Sequence, residues 1–131
     1  MKREMKIVTL WLMTICGLCC HTLTDLLPIF WGKNLAVMAT DGNVQWGMIV
    51  MMMTITFVIP VIGLFCLMSD CKTKLAKWIN VVLAVLMALF NVAHACMELP
   101  SENAAQYVIM PLMAVIGIVL AWLSVKYLKE N

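Results

Sequence analysis

Four long apolar stretches separated by short polar ones set the pattern of this chain. They run over about 7–31, 46–68, 76–99 and 104–128. A helix rises about 1.5 Å per residue, so roughly 20 apolar residues cross the hydrocarbon of a bilayer, and each stretch reaches that length. The ten-residue alternating segments that build a membrane barrel do not occur. A backbone in lipid must also satisfy its own hydrogen bonds, which leaves helix as the reading of all four stretches. The pattern therefore predicts an all-α membrane protein: one integral-membrane domain folded as a four-transmembrane-helix bundle.

Composition agrees with this pattern. Of 131 residues, 64% are hydrophobic and 12% charged, where a soluble domain carries about 25% charged residues. Such a chain cannot cover itself with polar surface, and the lipid bilayer is its expected partner. A net charge of +2 is too small to point to nucleic acid. The cations are placed unevenly. Lys2, Arg3 and Lys6 precede the first stretch, Lys72, Lys74 and Lys77 separate the second from the third, and Lys126 and Lys129 follow the fourth; Lys33 alone falls on the other side. By the positive-inside rule this predicts an N-in/C-in protein of the cell's inner (plasma) membrane. Trp31, Trp46 and Tyr107 then fall at the outer interface, with Trp78 and Tyr127 near the inner one. K-R-E-M-K followed by an apolar run looks like a signal peptide, but no small-residue cleavage site follows, so a retained helix is expected. The apolar residues of segment 28–45 are expected to lie along the membrane surface, with Asp41, Gly42 and Asn43 turning the chain into the second helix.

Polar residues inside these stretches carry the candidate chemistry, because ionisable groups in a membrane generally face the bundle interior. The first stretch contains His21 and Asp25 in C-C-H-T-L-T-D-L-L-P, and the third contains His94 and Glu98 in H-A-C-M-E-L-P. On a helix His21 and Asp25 differ by about 40°, with Thr14, Gly17, Thr24 and Pro28 within about 60° of His21. Asn80, Asn91, His94 and Glu98 share one arc of about 60°. Both stripes are expected to face inward. The first and third helices run in the same direction, and both pairs fall in the outer third of the bilayer. The predicted ligand or proton site is His21, Asp25, His94 and Glu98, supported by Thr24, Asn80 and Asn91. A carboxylate that accepts one ring N–H leaves the other nitrogen free for a metal or a proton. One histidine from each of two helices also makes haem b conceivable, and quinone is a further possibility. The competing reading is local: each histidine caps its own helix end and compensates an acid placed unfavourably at the negative end of the macrodipole.

Other features are less specific. Cys16, Cys19, Cys20, Cys66, Cys71 and Cys96 lack a C-x-x-C pair at a loop or helix start, where a thiolate is stabilised, and read as small hydrophobes. The 13 methionines, including M-I-V-M-M-M at 48–53, point around the helix and read as packing rather than as a copper site. Pro60 and Pro111 are expected to kink the second and fourth helices. No phosphate cradle and no nucleophile beside a base is present, so no enzyme activity is indicated.

The acid in T-D-L late in the first helix, Ile59-Pro60 in the second, a basic loop leading into W-I-N at 78–80 and the closing Glu98 together resemble a group of small four-helix bacterial inner-membrane proteins. In general look the chain is similar to DoxX-like four-helix proteins, some of which associate with quinone or thiol redox systems. That resemblance implies fold and topology, and carries no activity. The expected function is binding or moving a small molecule, ion or proton at the outer His–acid cluster; the alternatives are a redox component holding haem or quinone and an accessory subunit packed against another membrane protein.

Overall fold

The computed structural model describes residues 2–34, 44–68 and 73–130. Four helices account for most of them: α1 over Arg3–Trp31, α2 over Trp46–Met68, α3 over Lys74–Glu98 and α4 over Gln106–Leu128. All four are long and apolar enough to cross a membrane, which makes the chain a multi-pass helical membrane protein. The turn expected at Asp41, Gly42 and Asn43, and the loop cation Lys72, lie outside the described residues.

Local sequence explains the irregularities. α1 is α-helical through Leu26 and tightens to a 3-10 turn over Leu27–Trp31, where Pro28 supplies no N–H. Gly32 ends it with a φ of 76°, a left-handed conformation that suits glycine. α2 widens to a π turn over Thr54–Val58 just before Pro60, whose ring would otherwise meet the carbonyl four residues back. Thr54 and Thr56 turn their hydroxyls onto the carbonyls of Val50 and Met52, both at 2.8 Å. α3 starts at Thr73, whose side chain accepts the N–H of Ala76 at 3.2 Å.

Around the bundle, α1 packs on α2 and α4, and α3 packs on α2 and α4, so α1 and α3 stand diagonally opposite. The interior faces follow one spacing. Ile7, Trp11, Thr14, Leu18 and His21 of α1 are buried at alternating intervals of four and three. So are Gln106, Met110, Met113, Gly117, Leu120, Ser124 and Tyr127 of α4. α3 repeats it through Asn80, Ala84, Met87 and Asn91. This is the seam of left-handed helix packing. Because lipid is as apolar as leucine, burial alone does not drive these helices together; small residues and interhelical hydrogen bonds must hold them.

Both devices are visible. The Trp11 ring lies directly on Gly63, where a methyl group would collide with it. A Cβ on Gly117 would stand 3.0 Å from the Ala88 Cα, so α3 and α4 approach closely there. Trp11 Nε1 donates to Asn80 Oδ1 at 2.9 Å and Asn80 Nδ2 donates to Ser124 Oγ at 3.0 Å, which ties α1, α3 and α4 through fully buried groups. Asn91 Nδ2 donates to the Met113 carbonyl at 3.2 Å. The ends of the chain meet: Arg3 pairs with Glu130, and Tyr127 Oη donates to Glu4 at 2.6 Å.

Candidate functional site

The end of the bundle away from the chain termini gathers polar groups from three elements. The last turns of the α-helical part of α1 supply His21, Thr24 and Asp25, the last turns of α3 supply His94 and Glu98, and the start of α4 supplies Gln106, with Asn103 just ahead of it. His21 Nε2 lies 3.1 Å from His94 Nε2, with ring centroids 5.0 Å apart and planes at 85°. His94 also stacks on Phe90 of its own helix, centroids 5.5 Å apart. On its other side, His21 Nδ1 lies 2.8 Å from Gln106 Oε1. The Gln106 side-chain amide donates to Asp25 Oδ1 and, at 3.4 Å, to Thr24 Oγ1. Asn103 Nδ2 adds donors to the Thr24 carbonyl at 3.0 Å and to Asp25 Oδ1 at 3.3 Å.

These partners fix where protons sit. Gln106 spends its N–H groups on Asp25 and Thr24, so its oxygen faces His21. An amide oxygen only accepts, and His21 Nδ1 must therefore carry a proton. In the neutral ring Nε2 is then a bare acceptor, and the donor in the contact between the imidazoles is His94 Nε2–H. One added proton reverses the roles. Received at His94 Nδ1, it lets the Nε2 proton of His94 pass to His21 Nε2, which also faces Asp25 Oδ2 at 3.5 Å. The row His94, His21, Asp25 thus sets two imidazoles and a carboxylate in line, with the middle ring held in one tautomer by Gln106.

The structure brings His21, Asp25 and His94 together, with Thr24 accepting from the same amide that binds Asp25. Glu98 is half-buried at the rim and makes no hydrogen bond or ion pair with the described residues, so the two His–acid pairs are not equivalent. Asn91 sits deeper, on the Met113 carbonyl, and Asn80 belongs to the Trp11–Ser124 tie. Fourteen residues separate Asn80 from His94, about 21 Å along a helix. Two members of the site, Gln106 and Asn103, are not among the residues that the sequence pattern singles out. A signal for Gln106 nevertheless exists: it and Ser124 are 18 residues apart, five full turns, and so share one face of the fourth stretch.

At this end the bundle opens into a cavity of about 1180 Å³, lined by Asp25, Glu98, Trp31, Met97 and Asn103 among others; the two histidines lie behind Asp25 and do not line it. Lys33 reaches Glu102 at 3.5 Å across its mouth. Below the pair, Leu18, Met113, Met87 and Leu120 are buried and apolar. The polar cluster therefore reaches the cavity through Thr24, Asp25 and Asn103 and rests on apolar side chains beneath.

Among the described residues no three His, Cys, Asp or Glu side chains gather as a metal site. A haem held between the two imidazoles does not fit: axial ligation needs the nitrogens on opposite faces of a porphyrin, and here they touch edge to face. Compared with family models, with curated proteins and with solved structures, the chain matches none. The class that the fold and the site define is a four-helix membrane protein with a histidine pair buried behind Asp25, which lines a cavity at one end of the bundle.

Proposed function

We propose that this membrane protein exchanges a proton between the His21–His94 pair and a small molecule or ion in the adjoining pocket, by way of Asp25, which lines that pocket and lies 3.5 Å from His21. It acts as a binding or transport protein rather than an enzyme. The observation that carries the reading is the direct Nε2 contact of 3.1 Å between the only two histidines of the chain, with the tautomer of one set by Gln106. The proposal includes the topology drawn from the cations: both termini cytoplasmic, and the pocket on the outer face of the inner membrane. It also keeps the architectural likeness to small four-helix inner-membrane proteins. Proteoliposomes loaded with a pH dye test the reading. Transport requires the apolar floor of Leu18, Met87, Met113 and Leu120 to part; internal acidification above that of empty vesicles is then expected after an external acid jump, and Asp25→Asn together with His21→Gln should abolish the excess. Equal acidification by the variant would overturn the relay.

A second reading, an accessory subunit, draws on α2. Its first eight residues, Trp46–Met53, include no buried side chain. Co-purification of a membrane partner at fixed ratio, lost on substitution of that face, is the expected outcome under this reading.

A further inference from the structure

We infer that the cleft between the start of α1 and the end of α4, at the end of the bundle carrying the termini, binds the phosphate headgroup of an anionic lipid. The cleft has a volume of about 650 Å³ and is lined by Lys2, Arg3 and Lys6 from the first turns of the chain and by Lys126 from α4. Its two acids are engaged: Glu130 pairs with Arg3, and Glu4 accepts from Tyr127 Oη at 2.6 Å. None of the ion pairs recorded among the described residues involves Lys2, Lys6 or Lys126. Four cations thus line the cleft against two carboxylates, leaving it with an excess of positive charge. Two of the walls are fixed: the Lys126 ammonium lies 3.8 Å over the Trp122 ring, and Arg3 Nη1 donates to the Lys126 carbonyl at 3.4 Å.

An apolar track favours a lipid over a free phosphate. Val115, Ile118 and Trp122 of α4 are each more than half exposed and follow one another at intervals of three and four, one stripe that leads along the helix to Lys126. An acyl chain laid on that stripe brings its headgroup to the cations, the geometry by which basic pockets between membrane helices hold anionic lipids. The basic end of the bundle is in this account a specific seat as well as an orientation signal, and it is independent of the histidine pair.

Native mass spectrometry of the whole purified protein, exchanged into detergent with phosphatidylglycerol or phosphatidylcholine, tests this. The wild type should retain phosphatidylglycerol several-fold over phosphatidylcholine. Lys6→Gln with Lys126→Gln should remove that preference, and Lys126→Arg should keep it. Unchanged unfolding of the double variant in phosphatidylcholine shows that it remains folded. Retention of phosphatidylglycerol by the folded double variant at the wild-type level would overturn the site. Displacement of the lipid by millimolar inorganic phosphate would overturn the lipid as its occupant.

Discussion

His21 and His94 stand on diagonally opposite helices, yet their Nε2 atoms are 3.1 Å apart. Among the described residues no other side-chain hydrogen bond at that depth joins α1 to α3 directly. The pair is a structural tie and a proton-bearing group at once, so its two roles are separable by experiment.

The first prediction concerns the tie. Hydrogen bonds between membrane helices contribute about 0.6 kcal/mol on average and up to roughly 1.7, because the unfolded chain in a membrane also finds partners. A double-mutant cycle of His21→Phe and His94→Phe, read by unfolding in mixed micelles, should give a coupling in that range. The single changes should differ: His21 is buried and also bonds Gln106, whereas His94 is half-buried. His21→Phe is expected to be the more destabilising.

Gln106 is fully buried and serves both His21 and Asp25. Gln106→Leu leaves the His21 Nδ1–H without its partner, a loss of about 1–3 kcal/mol. Measured by the same unfolding assay, it should exceed the effect of Gln45→Leu at the exposed start of α2.

How much of this is legible in the sequence can be judged from these residues. Apolar run length marks the four helices, and the 3.6-residue period places His21, Asp25 and His94 on inward faces that do meet. The same period puts Asn80 on the arc of His94, but angle alone says nothing of height, and Asn80 serves a different layer. Gln106 is a neutral amide at the edge of an apolar run, so no charge marks it out. It is central through contact with another helix, which no single-helix period reports. Glu98 shows the opposite limit: its i,i+4 spacing from His94 matches that of Asp25 from His21, yet the described residues give it no hydrogen bond. The α4 partner that completes the first pair has no equivalent at the second.

Glycines provide a third prediction. Gly63 is filled by the Trp11 ring, so Gly63→Ala should destabilise the bundle by about 1–3 kcal/mol, the usual cost of overpacking. On α2, a methyl group added at Gly47 would have no neighbour within 4 Å, and Gly47→Ala should be neutral or stabilising by up to about 1 kcal/mol. Unfolding midpoints of the two variants check the contrast.

The contact between Arg3 and Glu130 predicts that the chain ends share one side of the membrane. Epitope tags placed at each end should be cleaved together by protease added to inside-out vesicles, and both should resist it in right-side-out cells. Cleavage of one tag alone would contradict the topology.

The most direct test of the central claim uses the fact that the chain has only two histidines. In protein carrying 15N-labelled imidazoles, reconstituted in nanodiscs at neutral pH, one ring should appear as the Nδ1–H tautomer and the other as Nε2–H. A scalar coupling between their Nε2 atoms should be observed, and Gln106→Leu should release the Nδ1–H ring from its tautomer. Two uncoupled rings, each titrating alone and both in the Nε2–H form, would contradict the relay.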